Sequence, residues 1–94
     1  MSSAVKVKLF GILRLRFRPW EKEISLDSPL SLKEFLEALE GPFPGLKETL
    51  FSRNKLQKGV IILKNGRNIF HLAGLDTKIF PGDVLVIFPP GAGG

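Results

Sequence analysis

Val5, Val7, Leu9, Leu13, Leu15 and Phe17 all fall on odd positions of the opening segment, with Lys6, Lys8, Arg14 and Arg16 between them. A period of two is the mark of a half-buried strand, and it predicts one running from Val5 to Phe17. Gly11 interrupts the run and marks a bulge, a bend or the strand's end. Phe10 and Ile12 depart from the pattern, being apolar on the otherwise basic side. "RPWEKEISLD" then reads as a turn near Pro19 followed by a second strand over Lys22 to Asp27.

At Ser31 the period changes from two to that of a helix. Ser31 with Glu34 three residues on makes a capping box, flanked by Leu30 and Phe35 at the staple positions. Leu32, Phe35, Leu36 and Leu39 follow helical spacing and predict one apolar face turned to a sheet. Gly41 and Pro42 end this helix, which spans Ser31 to Glu40. "FPGLKETLF" places Leu46 and Leu50 one turn apart, the spacing of a second, short helix, and the polar "SRNKLQKG" reads as a loop. Val60 to Leu63 is a buried-strand run. Asn65-Gly66 is the favoured pair for a two-residue hairpin turn, with a return strand over Asn68 to Leu72. "AGLDTK" is a connector, and Pro81-Gly82-Asp83 has the order of a type II turn. The last strand is Val84 to Phe88.

The order β-β-α-(α)-β-β-β is that of an α+β sheet with a helix across one face. Parity sends Val7, Leu9, Leu85 and Ile87 toward that helix and Phe10, Val84, Val86 and Phe88 outward. Phe10, Val86 and Phe88 then form an apolar patch at the foot of the tail, rimmed by Lys6, Lys8, Arg14 and Arg16. Such a patch either is covered by a loop or the return hairpin, or marks an interface suited to an acidic partner.

Composition narrows the chemistry. The 94 residues suit one domain with a modest core, and the hydrophobic fraction, 44 %, is ordinary for a globular chain. The absence of cysteine excludes a disulfide framework, a thiol nucleophile and thiolate metal sites. His71, the single histidine, sits between Phe70 and Leu72 and fits packing better than a metal or catalytic role. We find no carboxylate pair suited to acid-base work and no phosphate-binding glycine loop, so no metal and no cofactor is expected. The formal charge of +5 comes from dispersed residues, without the aromatic-interleaved basic run of a nucleic-acid binder. "MSSAVKVKLF" has no secretory pattern and no stretch approaches a membrane span, so a cytoplasmic protein is expected, with neither membrane nor nucleic acid as partner.

With side-chain catalysis excluded, the ending "FPPGAGG" is the remaining chemical feature. A frayed end is the plain reading of such a segment. Against it, Pro89-Pro90 stiffens the chain as it leaves the last strand, and residues 91–94 carry almost no side-chain volume. Fully extended, those four reach roughly 13 Å. A thin probe on a stiff stem enters a channel that excludes larger side chains, and it delivers the α-carboxylate of Gly94. The expected division is a folded domain over residues 1–88 and a flexible tail over 89–94.

Three segments carry a family resemblance: "VKVKLFGILR" at residues 5–14, "LKNGR" at 63–67 and "PGDVLVIFPPGAGG" at 81–94. The chain resembles the MoaD/ThiS-like ubiquitin-like sulfur carriers, above all the small subunit of molybdopterin synthase, together with the archaeal ubiquitin-like modifiers. The resemblance covers most of the chain, and the proline pair and the glycine pair after the last strand are its most specific part. It departs from the family in the basic, bulky "RLRFRPWEKE", in Gly91 where valine is commoner, and in a polar loop over residues 52–58. The resemblance implies a β-grasp fold and a non-catalytic carrier. An E1-like enzyme would adenylate the carboxylate of Gly94, behind Gly93. A sulfur donor protein would displace AMP to leave a thiocarboxylate. The loaded tail would then serve the large subunit of molybdopterin synthase, in a heterotetramer, for molybdenum cofactor biosynthesis. Phe10, Val86, Phe88, Pro89 and Pro90 would meet these partners. The same tail suits a modifier joined through Gly94 to target lysines, or a sulfur carrier for tRNA thiolation.

Overall fold

The computed structural model of the protein describes residues 3–91; Gly93 and Gly94, with their expected roles, lie outside the described residues. In chain order the elements are β1 (Ala4–Leu9), α1 (Leu13–Arg16), β2 (Glu21–Ser25), β3 (Leu30–Ser31), α2 (Leu32–Ala38), α3 (Leu46–Leu50), β4 (Phe51–Ser52), β5 (Lys55–Leu56), β6 (Ile61–Lys64), β7 (Arg67–Asn68), β8 (Lys78–Ile79) and β9 (Val84–Phe88). Single turns of 3-10 helix lie at Ile69–His71 and Gly74–Asp76. The main sheet has the order β2-β1-β9-β6-β7, with β1 and β9 parallel at its centre and the other pairings antiparallel. This mixed sheet, gripped on one face by a helix, is the β-grasp arrangement.

The inner face follows parity. Val5, Val7 and Leu9 of β1, Ile62 of β6, and Leu85 and Ile87 of β9 are fully buried. Leu32, Phe35, Leu36 and Leu39 supply the helical half of the same core. Leu36 is 2 % exposed, so Leu36→Ala should cost about 2–5 kcal/mol of stability in chemical denaturation, through lost transfer energy and a cavity. A near-neutral result would place α2 on the wrong face.

The capping box forms as its spacing predicts. The Glu34 amide donates to Ser31 Oγ at 3.1 Å, and the Ser31 amide donates to Glu34 Oε1 at 3.0 Å. The bonds from the Ser31 backbone and hydroxyl hold the Glu34 carboxyl below the usual carboxylate range. A lowered acid adds stability above its ordinary pKa and loses it as pH falls through the lowered value. In Ser31→Ala the amide bond to the Glu34 carboxyl remains and only the hydroxyl's share is lost, so the Glu34 pKa, read by carboxyl NMR titration, should rise part of the way toward its ordinary value. An unchanged titration would mean that the hydroxyl takes no part in holding this carboxyl in solution.

Four expectations are corrected. The first strand does not run to Phe17 but stops at Leu9, and Gly11, at φ +62°, turns the chain into α1. Leu13 and Phe17 are four apart, which satisfies a period of two and a helical turn alike. Both are buried as helical neighbours, whereas Leu15 turns to solvent at 70 % exposure. The return strand after Asn65-Gly66 is only Arg67–Asn68, because the Asn68 side chain accepts from the Phe70 amide and closes a 3-10 turn. The polar stretch after α3 is not a plain loop: β4 and β5 pair across Arg53 and Asn54, both at positive φ. The connector before the last turn also holds a short strand, β8, paired with β3. The Pro81-Gly82 turn is as expected, with the Asp83 amide bonded to the Phe80 carbonyl at 3.1 Å and Gly82 at φ +97°.

Candidate functional site

The outer side of the sheet carries the second parity set. Phe10, Val86 and Phe88 are half-buried there, and Phe10 continues the β1–β9 ladder by donating its amide to the Ile87 carbonyl at 3.0 Å. Its ring stacks on Phe88 with centroids 5.2 Å apart. Across the β6–β9 pairing, Ile61 stands opposite Phe88 and Leu63 opposite Val86. Ile61 is exposed and Leu63 half-buried, which widens the apolar patch beyond the three residues that parity picked out.

Arg14 closes the patch on one side. Its guanidinium lies 4.1 Å from the Phe10 ring centroid and 3.7 Å from that of Trp20, with Nε donating to the Leu9 carbonyl at 2.9 Å. A cation held between two ring faces is bound electrostatically and stiffly. Trp20 has no part in any sequence motif that we identified; the one signal was a lone tryptophan in a basic turn. The basic rim is smaller than expected. Arg16 is not part of it, because α1 turns this side chain to α3, where Nη1 donates to Thr49 Oγ1 at 2.9 Å. Lys6 and Lys8 stand opposite Glu23 and Glu21 in the β1–β2 register, which offsets part of their charge.

The tail leaves from the end of β9, at the centre of the sheet. Pro89 is buried and Pro90 half-buried, so the packed body continues past Phe88. Gly11 lies on one side, where a Cβ would come within 3.2 Å of Pro89 Cδ. Gly59 lies on another, where a Cβ would stand 3.0 Å from the Gly91 backbone nitrogen. These two glycines make room for the stem, a role that spacing alone does not reveal. His71 is exposed at the end of its 3-10 turn rather than packed. Among the described residues no cluster of His, Cys, Asp or Glu is placed to hold a metal ion, and no helix is long and apolar enough to cross a membrane.

The sequence and the fold are matched by known proteins. The ThiS family profile covers residues 7–94. The chain belongs to the ThiS family. Small archaeal modifier protein 3 of Haloferax volcanii is 36 % identical over 69 residues, 73 % of this chain and 75 % of that protein. The solution structure of small archaeal modifier protein 1 from Methanosarcina acetivorans is 34 % identical with a TM-score of 0.79, covering 100 % of this chain and 99 % of that one. A Pyrococcus furiosus structure, provisionally named molybdopterin converting factor subunit 1, is 29 % identical with a TM-score of 0.72, covering 95 % and 99 %. This ThiS-family chain is thus a ubiquitin-like protein of the sulfur-carrier and modifier kind.

Proposed function

We propose that the protein is a sulfur carrier, the small subunit of a molybdopterin synthase, and that its working group is the carboxylate of Gly94. The observation that carries the reading is the seated Pro89–Gly91 stem at the end of the central strand, inside a family match that runs through the glycine pair. A carboxylate is a poor electrophile. Its oxygen attacks the α-phosphorus of ATP on an E1-like enzyme, pyrophosphate leaves, and the acyl-adenylate gains a good leaving group. A sulfide equivalent from a donor protein attacks the acyl carbon, AMP leaves, and a thiocarboxylate remains.

The chain supplies no catalytic side chain in this scheme. Phe10, Val86 and Phe88 dock the E1-like enzyme and the synthase large subunit in turn, and Pro89-Pro90 directs the tail into each active site. Sulfur then passes to a pterin precursor on the large subunit. The name given to the Pyrococcus furiosus relative supports this destination.

A second reading has its own support in the names of the archaeal relatives. In it the activated Gly94 acylates lysine amines of target proteins. Intact mass of the protein isolated from its own cell separates the two. Replacement of one oxygen by one sulfur supports the carrier, a ladder of conjugates supports the modifier, and an unmodified C-terminus under all growth conditions argues against both.

A further inference from the structure

Gly59 sits in the bend between β5 and β6, and that bend is pinned. The Gln57 amide donates to the Leu50 carbonyl at 2.8 Å, and its Nε2 reaches the carbonyls of Thr49 at 3.1 Å and Phe51 at 3.3 Å. The Val60 amide closes the bend on the Gln57 carbonyl at 3.1 Å. Gly59 itself holds φ +94°, and the atoms facing its missing Cβ are backbone: Gly91 N at 3.0 Å and Pro90 Cα at 3.7 Å. A flexible side chain could swing aside from an added methyl, whereas backbone yields only if the segment moves. The bend is fixed by Gln57, so the segment that moves is the tail stem.

We propose that Gly59 is a positioning residue for the tail: together with Gly11, which faces Pro89, it seats Pro89 to Gly91 and fixes the point from which the chain continues. The proposal rests on the carrier reading for its kinetic consequence, though not for its structural one. Three residues, 92–94, follow the seat in the sequence, and three residues span at most about 10 Å. Six free residues counted from Phe88 would span about 20 Å. The adenylating partner must therefore bring the ATP α-phosphorus to within about 10 Å of the stem's exit, which selects a shallow channel.

The test compares Gly59→Ala with Gly82→Ala. Gly82 has nearly the same backbone angle, φ +97°, but open space where its Cβ would be. Both changes carry the left-handed strain of an L-residue, and Gly59→Ala adds the contact with the stem, so its melting temperature should fall at least as far as that of Gly82→Ala. Only Gly59→Ala should shift the Gly91 amide resonance. In ATP–pyrophosphate exchange with the cognate E1-like enzyme, Gly59→Ala should lower kcat at least about threefold, because the stem must give by a few tenths of an ångström at its base and misplacing the reacting carboxylate is costly in rate. KM should stay within about twofold, because the docking face is untouched. Gly82→Ala should exchange as the wild type does.

Equal kcat in the two variants, or a Gly91 amide that does not move, overturns the proposal. If Gly59→Ala does not fold, Gly11→Ala presses on the Pro89 ring and takes its place in both measurements, where the same two results would overturn the proposal. Absence of exchange by the wild type would count against activation of Gly94, and so against the carrier and modifier readings, while the Gly91 amide would still decide the seating.

Discussion

Removing Gly94, or adding one residue after it, should abolish adenylation while leaving the melting temperature unchanged. The stability half follows from the core. The last buried residue of the described chain is Pro89, five positions before Gly94, and a terminal glycine adds little to a core. The functional half follows from reach. A chain one residue shorter stops its carboxylate about 3.3 Å from where the α-phosphorus must be met, and one residue longer overshoots by as much. Effects of about a hundredfold arise from displacements near 1 Å, so a shift of this size should drop exchange below detection. On the proposed carrier reading Gly93→Val should fail as well, because a stiff β-branched side chain would not pass a channel that admits only glycine. The measurements are ATP–pyrophosphate exchange with the cognate E1-like enzyme and a thermal melt of each variant. Normal exchange by the truncated chain would return "GAGG" to the status of an ordinary frayed end.

Much of this architecture is legible in the sequence because local and tertiary signals agree. Ser31 and Glu34 specify a cap by short-range hydrogen bonds alone, and Asn65-Gly66 and Pro81-Gly82 specify turns by backbone angle alone. Leu85 and Ile87 against Val84, Val86 and Phe88 is a parity that one buried face enforces. The patch at Phe10 and Phe88 follows from the same parity, once β1 and β9 are neighbours. Sequence and structure part where two periods fit the same residues. Leu13 and Phe17 suit strand and helix equally, and the decision comes from the left-handed angle at Gly11, which a sequence shows only as a glycine. The hairpin of β4 and β5 is hidden because Arg53 and Asn54 adopt positive φ without glycine. The seat at Gly59 is illegible for another reason: it is a contact between residues 32 positions apart, in which neither contributes a side chain.

Phe88→Asp should cost at least about thirtyfold in affinity for the E1-like enzyme, the loss of one aromatic hot spot worth about 2 kcal/mol. Phe88 stands beside the tail's exit on the outer face, with Phe10 stacked on it and Ile61 opposite. A carboxylate there removes the apolar centre of the patch and must be desolvated on docking. The fold should survive, because the residue belongs to the half-buried outer set rather than to the core. Loss of a ring stack costs about 0.5–1.5 kcal/mol beyond area burial, less than the 2–5 kcal/mol or so expected for Leu36→Ala. Phe70→Asp is the matched control. Phe70 is a more exposed aromatic, at 66 %, but it follows β7 at the sheet edge and should leave both binding and melting unchanged. Calorimetric titration of each variant against the enzyme, with parallel thermal melts, decides the matter. Equal weakening by both aspartates would reduce the effect to net charge. Loss of soluble Phe88→Asp protein would assign Phe88 to the core, and full affinity would remove the outer face of β9 from the interface.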